Sequence, residues 1–227
     1  MPIINLVYEA PREWKPSSST LLYLPFTEDL NDYSWNNNNP TSSTNASITT
    51  LNWVKCCYLN IWRIVLPDIW SVFNSTFTVS WYINITGTVN NWYDMILWAW
   101  WGGSYNAFGF SWYYKPGRND FWAWFYAWAE AKIDTTGYSW WWRNFTATFD
   151  ANKKLTLYQN WVEVASATAS TPHISNNTLY VWVNTEVPNN SSWYSYCYLW
   201  NIILENRAWS ADEISTYYNW TKANYGL

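Results

Sequence analysis

From Leu21 to Leu204 the chain is a succession of short β-type runs cut by polar turn clusters, and that rhythm leaves few folds open. The runs cover residues 21–24, 54–59, 63–66, 77–85, 92–97, 107–114, 121–128, 143–149, 155–159, 162–167, 178–183 and 196–204. Turn-rich stretches at 36–39, 115–117, 150–153, 171–172 and 188–192 separate them. A dozen short strands at this spacing predict an all-β, antiparallel two-sheet jelly-roll sandwich. The sharpest local signal is Asn160-Trp161, between Leu155-Thr156-Leu157-Tyr158-Gln159 and Val162-Glu163-Val164-Ala165. Both flanks alternate apolar and polar, so a two-residue loop would set Leu157 opposite Val164. Such a loop adopts the type I′ turn, which needs positive φ at both central residues and therefore takes Asn-Gly. A tryptophan in the second position is a steric outlier.

That oddity recurs at Ser34-Trp35-Asn36, Asn52-Trp53, Asp68-Ile69-Trp70 and Val181-Trp182-Val183. It also recurs in Trp98-Ala99-Trp100-Trp101-Gly102-Gly103 and Phe121-Trp122-Ala123-Trp124. The chain holds 23 tryptophans and only 7 glycines, where a typical composition gives about 16 glycines. A forced left-handed site costs about 1–2 kcal/mol. Ten of them would cost about 10–20 kcal/mol, comparable to a whole domain's stability of about 5–15 kcal/mol. Glycine codons lie one base from UGG and UGA, and some bacterial lineages read UGA as glycine. A gene from such a lineage, read with UGA as tryptophan, would give this pattern. A truly tryptophan-rich protein is the alternative, and the codons separate the two.

Residues 1–19 read as an extended arm broken by Pro2, Pro11, Pro16 and Ser17-Ser18-Ser19, ahead of one domain over 20–227. Charged residues make up 12% and the formal net charge is −4, without the basic footprint of a nucleic-acid binder. No apolar run reaches the roughly 18 residues of a membrane span, and Met1 to Lys15 lacks the layout of a signal peptide. Cys56, Cys57 and Cys197 fit no zinc spacing. They read as buried free thiols, with a Cys57–Cys197 disulfide open if their strands are neighbours. The lone His173 follows Pro172 and reads as solvated.

One helix is legible, over about 210–223. Ser210-Ala211-Asp212-Glu213 forms a capping box with Ser210 as N-cap. Ile214, Tyr217 and Tyr218 then share one face.

Several segments in order resemble the laminin-G-like, concanavalin A-like lectin/glucanase superfamily. The first is Leu22-Tyr23-Leu24-Pro25-Phe26 with Asp32-Tyr33-Ser34-Trp35-Asn36, where the family has Asp-x-Ser-Gly-Asn. Phe77-Thr78-Val79-Ser80-Trp81 follows, then the Trp-led strand from Trp142 through Arg143 to Asp150. The hairpin carrying Asn160 and Trp161 comes next, and Arg207-Ala208-Trp209-Ser210 with Glu213 closes the series. The resemblance covers about residues 20–220 and implies a jelly roll shared by lectins, adhesion modules, glycosidases and structural domains. Trp35, Trp161 and Trp182 fall on family glycines, whereas Trp142 and Trp209 fall where tryptophan is at home.

Catalytic members present paired glutamates from one strand, as in Glu-x-Asp-x-Glu, with carboxyls about 5 Å apart for retention. Here Glu28, Asp29 and Asp32 lie in the opening loop, and Glu130 with Asp134 reads as a polar turn. No Ser-His-Asp set or phosphate loop is visible. Many laminin-G-like domains hold calcium, and Asp32, Asn36, Asp94 and Asp120 offer hard oxygen ligands. Flat rings stack on sugars beside a few polar groups, which makes Trp112, Tyr113 and Tyr126 the carbohydrate candidates. Recoding would remove Trp122, Trp124 and Trp128 from that role.

The expectation is a non-enzymatic carbohydrate-binding or adhesive surface module, outside the cell, on its surface or on a virion. Its partner would be a glycan or surface polysaccharide, with other virion or surface proteins also open, and no nucleic acid. A virion or tail-fibre structural protein comes second, and a glycoside hydrolase of the same fold third.

Overall fold

The computed structural model describes residues 14–60, 64–88, 92–99, 108–115, 118–125, 129–134, 142–168, 179–184 and 195–225. Two antiparallel sheets and one C-terminal helix make up most of them, with a short 3-10 helix over Trp70–Asn74. The strands are β1 (Thr20–Leu24), β2 (Ser42–Ser43), β3 (Ala46–Leu51), β4 (Val54–Asn60), β5 (Ile64–Leu66), β6 (Phe77–Thr88), β7 (Trp92–Ala99) and β8 (Phe108–Lys115). They continue with β9 (Arg118–Phe125), β10 (Ala129–Asp134), β11 (Arg143–Phe149), β12 (Lys154–Gln159), β13 (Val162–Thr168), β14 (Leu179–Asn184) and β15 (Ser195–Glu205), and the helix α1 is Ala211–Tyr225. One sheet runs β13-β12-β11-β6-β15-β4-β3, with β1 also on β15; the other runs β10-β9-β8-β7-β14-β5-β2. The expected all-β sandwich with a short terminal helix is therefore the fold.

Strand β6 shows how the sequence builds it. Phe77, Val79, Trp81 and Ile83 alternate into the core between the sheets, where they meet Phe145, Leu157, Leu199, Leu179 and Val181. The other face of β6 is covered too, so Thr78, Ser80, Tyr82 and Asn84 are also buried. Polar groups on that face need partners. Ser80 bonds Thr146 at 2.9 Å, and Asn144 donates to Ser80 Oγ and to the Trp81 carbonyl, both at 3.2 Å. Beyond them α1 lays Ile214 and Tyr217 on Tyr82, Trp200 and Ile203, forming a second core.

The capping box closes as its residues require. The Ser210 amide donates to Glu213 Oε2 at 2.8 Å, the Glu213 amide to Ser210 Oγ at 3.2 Å, and Arg207 reaches Glu213 at 2.7 Å. Burial pushes the Glu213 carboxyl up, but the Ser210 amide and the Arg207 guanidinium outweigh it and hold it below its ordinary range. A depressed folded-state pKa gives stability that is complete above the ordinary glutamate range and is lost as pH falls through the folded value. Glu213→Gln removes the charge and one of the two acceptor oxygens, so the Ser210 amide or Arg207 loses its partner. Urea midpoints should therefore favour the wild type at neutral pH, with the gap narrowing as pH falls through the folded-state value. A gap independent of pH would contradict this origin.

The hairpin at Asn160-Trp161 turns as expected, with φ of 48° and 70°. Its register differs by one residue. Leu157 faces Ala165, and Tyr158 faces Glu163, because a bulge leaves Val164 unpaired. Residues 129–134, read from sequence as a polar turn, form β10 instead, paired along β9. Asn52-Trp53 is a second such turn, with φ of 50° and 71°, joining β3 to β4. Among the described residues, Trp53 and Trp161 are the tryptophans with positive φ; Trp35 and Trp182 adopt ordinary backbone.

Candidate functional site

Among the described side chains, the buried carboxylates are Asp32 and Glu205, and both are spent on holding the chain together. Strand β1 pairs with β15 along one edge, and the loop after it satisfies the other. Asp32 Oδ1 accepts the Tyr23 and Ser34 amides at 2.8 Å each; Oδ2 accepts Ser34 Oγ at 2.7 Å and the Asn38 amide at 2.6 Å. Asn36 donates its amide to the Thr20 carbonyl at 2.7 Å. Two of the calcium candidates thus serve as edge covers for β1. Glu205 accepts Thr20 Oγ1 at 2.7 Å and Ser19 Oγ at 2.8 Å, and Arg207 Nε lies 3.1 Å away. It ties the segment before β1 to the end of β15.

The other described reactive groups are equally occupied. Cys56, Cys57 and Cys197 are buried and form no disulfide. Cys197 stands opposite Leu59 and Leu199 opposite Cys57. That diagonal placement spans roughly 7–8 Å, too far for a disulfide. Burial pushes the Cys56 and Cys57 thiols up to about 12, so neither is a nucleophile at neutral pH. Among the described residues no group of three or more His, Cys, Asp or Glu could hold a metal.

The remaining predicted residues gather on the second sheet, where strand register aligns them. Asp94 on β7 stands opposite Trp112 on β8, which stands opposite Phe121 on β9. The next row is Tyr93, Tyr113, Asp120 and Asp134, one residue from each of β7, β8, β9 and β10. Trp92, Tyr114 and Asn119 make the row beyond. Asn184 of β14 extends the Asp94 row on its far side. Directly opposite residues in an antiparallel ladder are side-chain neighbours, and like charges there are unfavourable without a partner. Successive rows alternate between the two faces of a sheet, so the sequence candidates Tyr113 and Asp120 share a face with Tyr93 and Asp134, and Asp94 with Trp112 and Asn184 falls on the other. No local pattern singled out Tyr93, Asn119 or Asn184. Tyr126 lies outside the described residues.

The signature positions act structurally. Trp142 packs on Trp200 with ring centroids 6.5 Å apart. Asp150 Oδ1 accepts the amides of Asn152 and Lys154 at 2.9 Å each, shaping the β11–β12 turn. Arg207, Ser210 and Glu213 form the cap described above.

No protein-family model and no curated protein sequence matches the chain. Solved structures do match in fold. The binding domain of Paraclostridial Mosquitocidal Protein 1 is 18% identical with a TM-score of 0.67, covering 88% of this chain and 52% of that one. The botulinum neurotoxin serotype C1 binding domain is 14% identical with a TM-score of 0.69, at 88% and 52% coverage. A third structure is described by the words "Cell entry of botulinum neurotoxin type C is dependent upon interaction with two ganglioside molecules". It is 17% identical with a TM-score of 0.64, at 88% and 51% coverage. The chain therefore spans about half the length of the structures it matches, and at these identities the likeness is one of fold.

Proposed function

We propose that this chain is a non-catalytic glycan-binding domain of the laminin-G-like lectin type, acting at a glycan-bearing surface outside the cell or on a virion. Its binding face is the stretch of β7 to β10 around Tyr113 and Asp120. The row Tyr93–Tyr113–Asp120–Asp134 carries this reading. Phenol rings stack on pyranose faces, while carboxylates accept the sugar hydroxyls, which combines an apolar platform with a few fixed polar groups. The structural neighbours support the reading, since two are binding domains and the third concerns ganglioside-dependent cell entry. Hydrolysis finds less support: the described buried carboxylates are both fully engaged in structural hydrogen bonds.

The test is affinity electrophoresis and a glycan array that includes ganglioside oligosaccharides. The wild type should bind weakly, and Tyr113→Ala and Asp120→Asn should each weaken binding about tenfold, equivalent to roughly 1.4 kcal/mol. Binding untouched by both changes would refute this face. Release of reducing sugar that disappears in Asp120→Asn would replace the reading with a hydrolase.

A further inference from the structure

We infer that Trp53 and Trp161 stand at glycine sites, and that UGA in this gene is read as glycine. Each closes a two-residue hairpin loop after an asparagine, between the paired residues Leu51 and Val54 in one case and Gln159 and Val162 in the other. The two turns agree closely, at 50° and 71° in the first and 48° and 70° in the second. These are type I′ angles, and Asn-Gly is the pair that this turn selects. In that region a Cβ collides with the following carbonyl oxygen, and glycine alone escapes the collision.

Trp53 is 96% exposed, so almost no burial offsets the collision there, while Trp161 is 47% exposed and buries about half of its ring. Other tryptophans behave as tryptophans should. Trp81 is 1% exposed and packs on Phe145; Trp209 is 6% exposed and packs on Tyr217. One misplaced indole is an accident of a sequence; two in the same geometry, each after asparagine, point to a rule of translation. The chemistry of the surface changes with it. Glycine at 53 and 161 removes two large rings from the surface. This inference stands independently of the glycan reading.

The codons and the native protein provide the test. UGA is expected at 53 and 161 and UGG at 81 and 209, and peptides from the source organism should carry glycine at the first two. UGG at both 53 and 161, or tryptophan in the native peptides, would overturn the inference. The second arm needs no source organism. Trp53→Gly should raise the folded-to-unfolded ratio about 5- to 30-fold, whereas Trp81→Gly should lower it. An unchanged or lowered ratio in Trp53→Gly would equally count against it.

Discussion

Trp81→Ala should destabilise the domain by about 3–5 kcal/mol, the usual range for emptying a fully buried aromatic site. Trp81 is 1% exposed, sits mid-strand in β6 and packs at a tilt on Phe145 with centroids 6.0 Å apart. Its neighbours on both sides of β6 are themselves buried, because β11 and β15 flank the strand. The surroundings therefore cannot collapse into the gap, and the cavity contribution persists. Against a typical stability of about 5–15 kcal/mol, the loss takes a third or more of the total. Thermal melts should show it as a drop of about 10 °C for a chain of this size. A shift under about 2 °C would mean that β6 is not the centre of the sandwich.

Asp32→Ala should cost about 3 kcal/mol, a large effect for a loop residue. The change orphans the Tyr23, Ser34 and Asn38 amides and the Ser34 hydroxyl at once. A partly buried donor left without an acceptor costs about 1–3 kcal/mol, with water recovering part of that here. Asp32→Asn should be nearly as harmful, since its amide group faces donors rather than acceptors. Asp29→Asn is the control, because Asp29 bonds within its own exposed turn to Asn31. Calcium addition or chelation should leave the melting temperature of the wild type unchanged through Asp32. Both of its oxygens already hold two protein donors. A calcium-dependent rise that vanishes in Asp32→Ala would contradict this account of the loop.

The features legible in sequence were those fixed by local chemistry. Asn160-Trp161 marked its hairpin because a type I′ turn has few acceptable sequences. Strand β11 matched residue for residue, since its flanks are a turn aspartate and an aromatic. The cap at Ser210 and Glu213 needed only residues three apart. Strands β3 and β10 escaped notice although each ends its sheet just as the legible β13 does. Ala46-Ser47-Ile48-Thr49-Thr50-Leu51 is half Ser and Thr with its alternation broken at Thr50, and Ala129-Glu130-Ala131-Lys132-Ile133-Asp134 alternates but with small alanines and charges that read as a turn. The candidate site was half legible. Trp112 and Tyr113 stood out as dense aromatics, and Asp94 and Asp120 as spare oxygen ligands. Tyr113 and Asp120 share a row, whereas Asp94 and Trp112, one residue along, fall on the opposite face; no local pattern records the strand order that decides this. The bulge at Val164 was hidden likewise, because a register slip of one residue leaves composition unchanged.

The central claim is that the stretch from β7 to β10 is where this molecule meets a glycan. Amide hydrogen exchange, with and without a saturating ganglioside oligosaccharide, addresses it most directly. The account predicts slowed exchange concentrated in residues 92–99, 108–115, 118–125 and 129–134. Protection confined instead to the Asp32 loop or the Asn160 hairpin, or no protection at all at saturation, would contradict it.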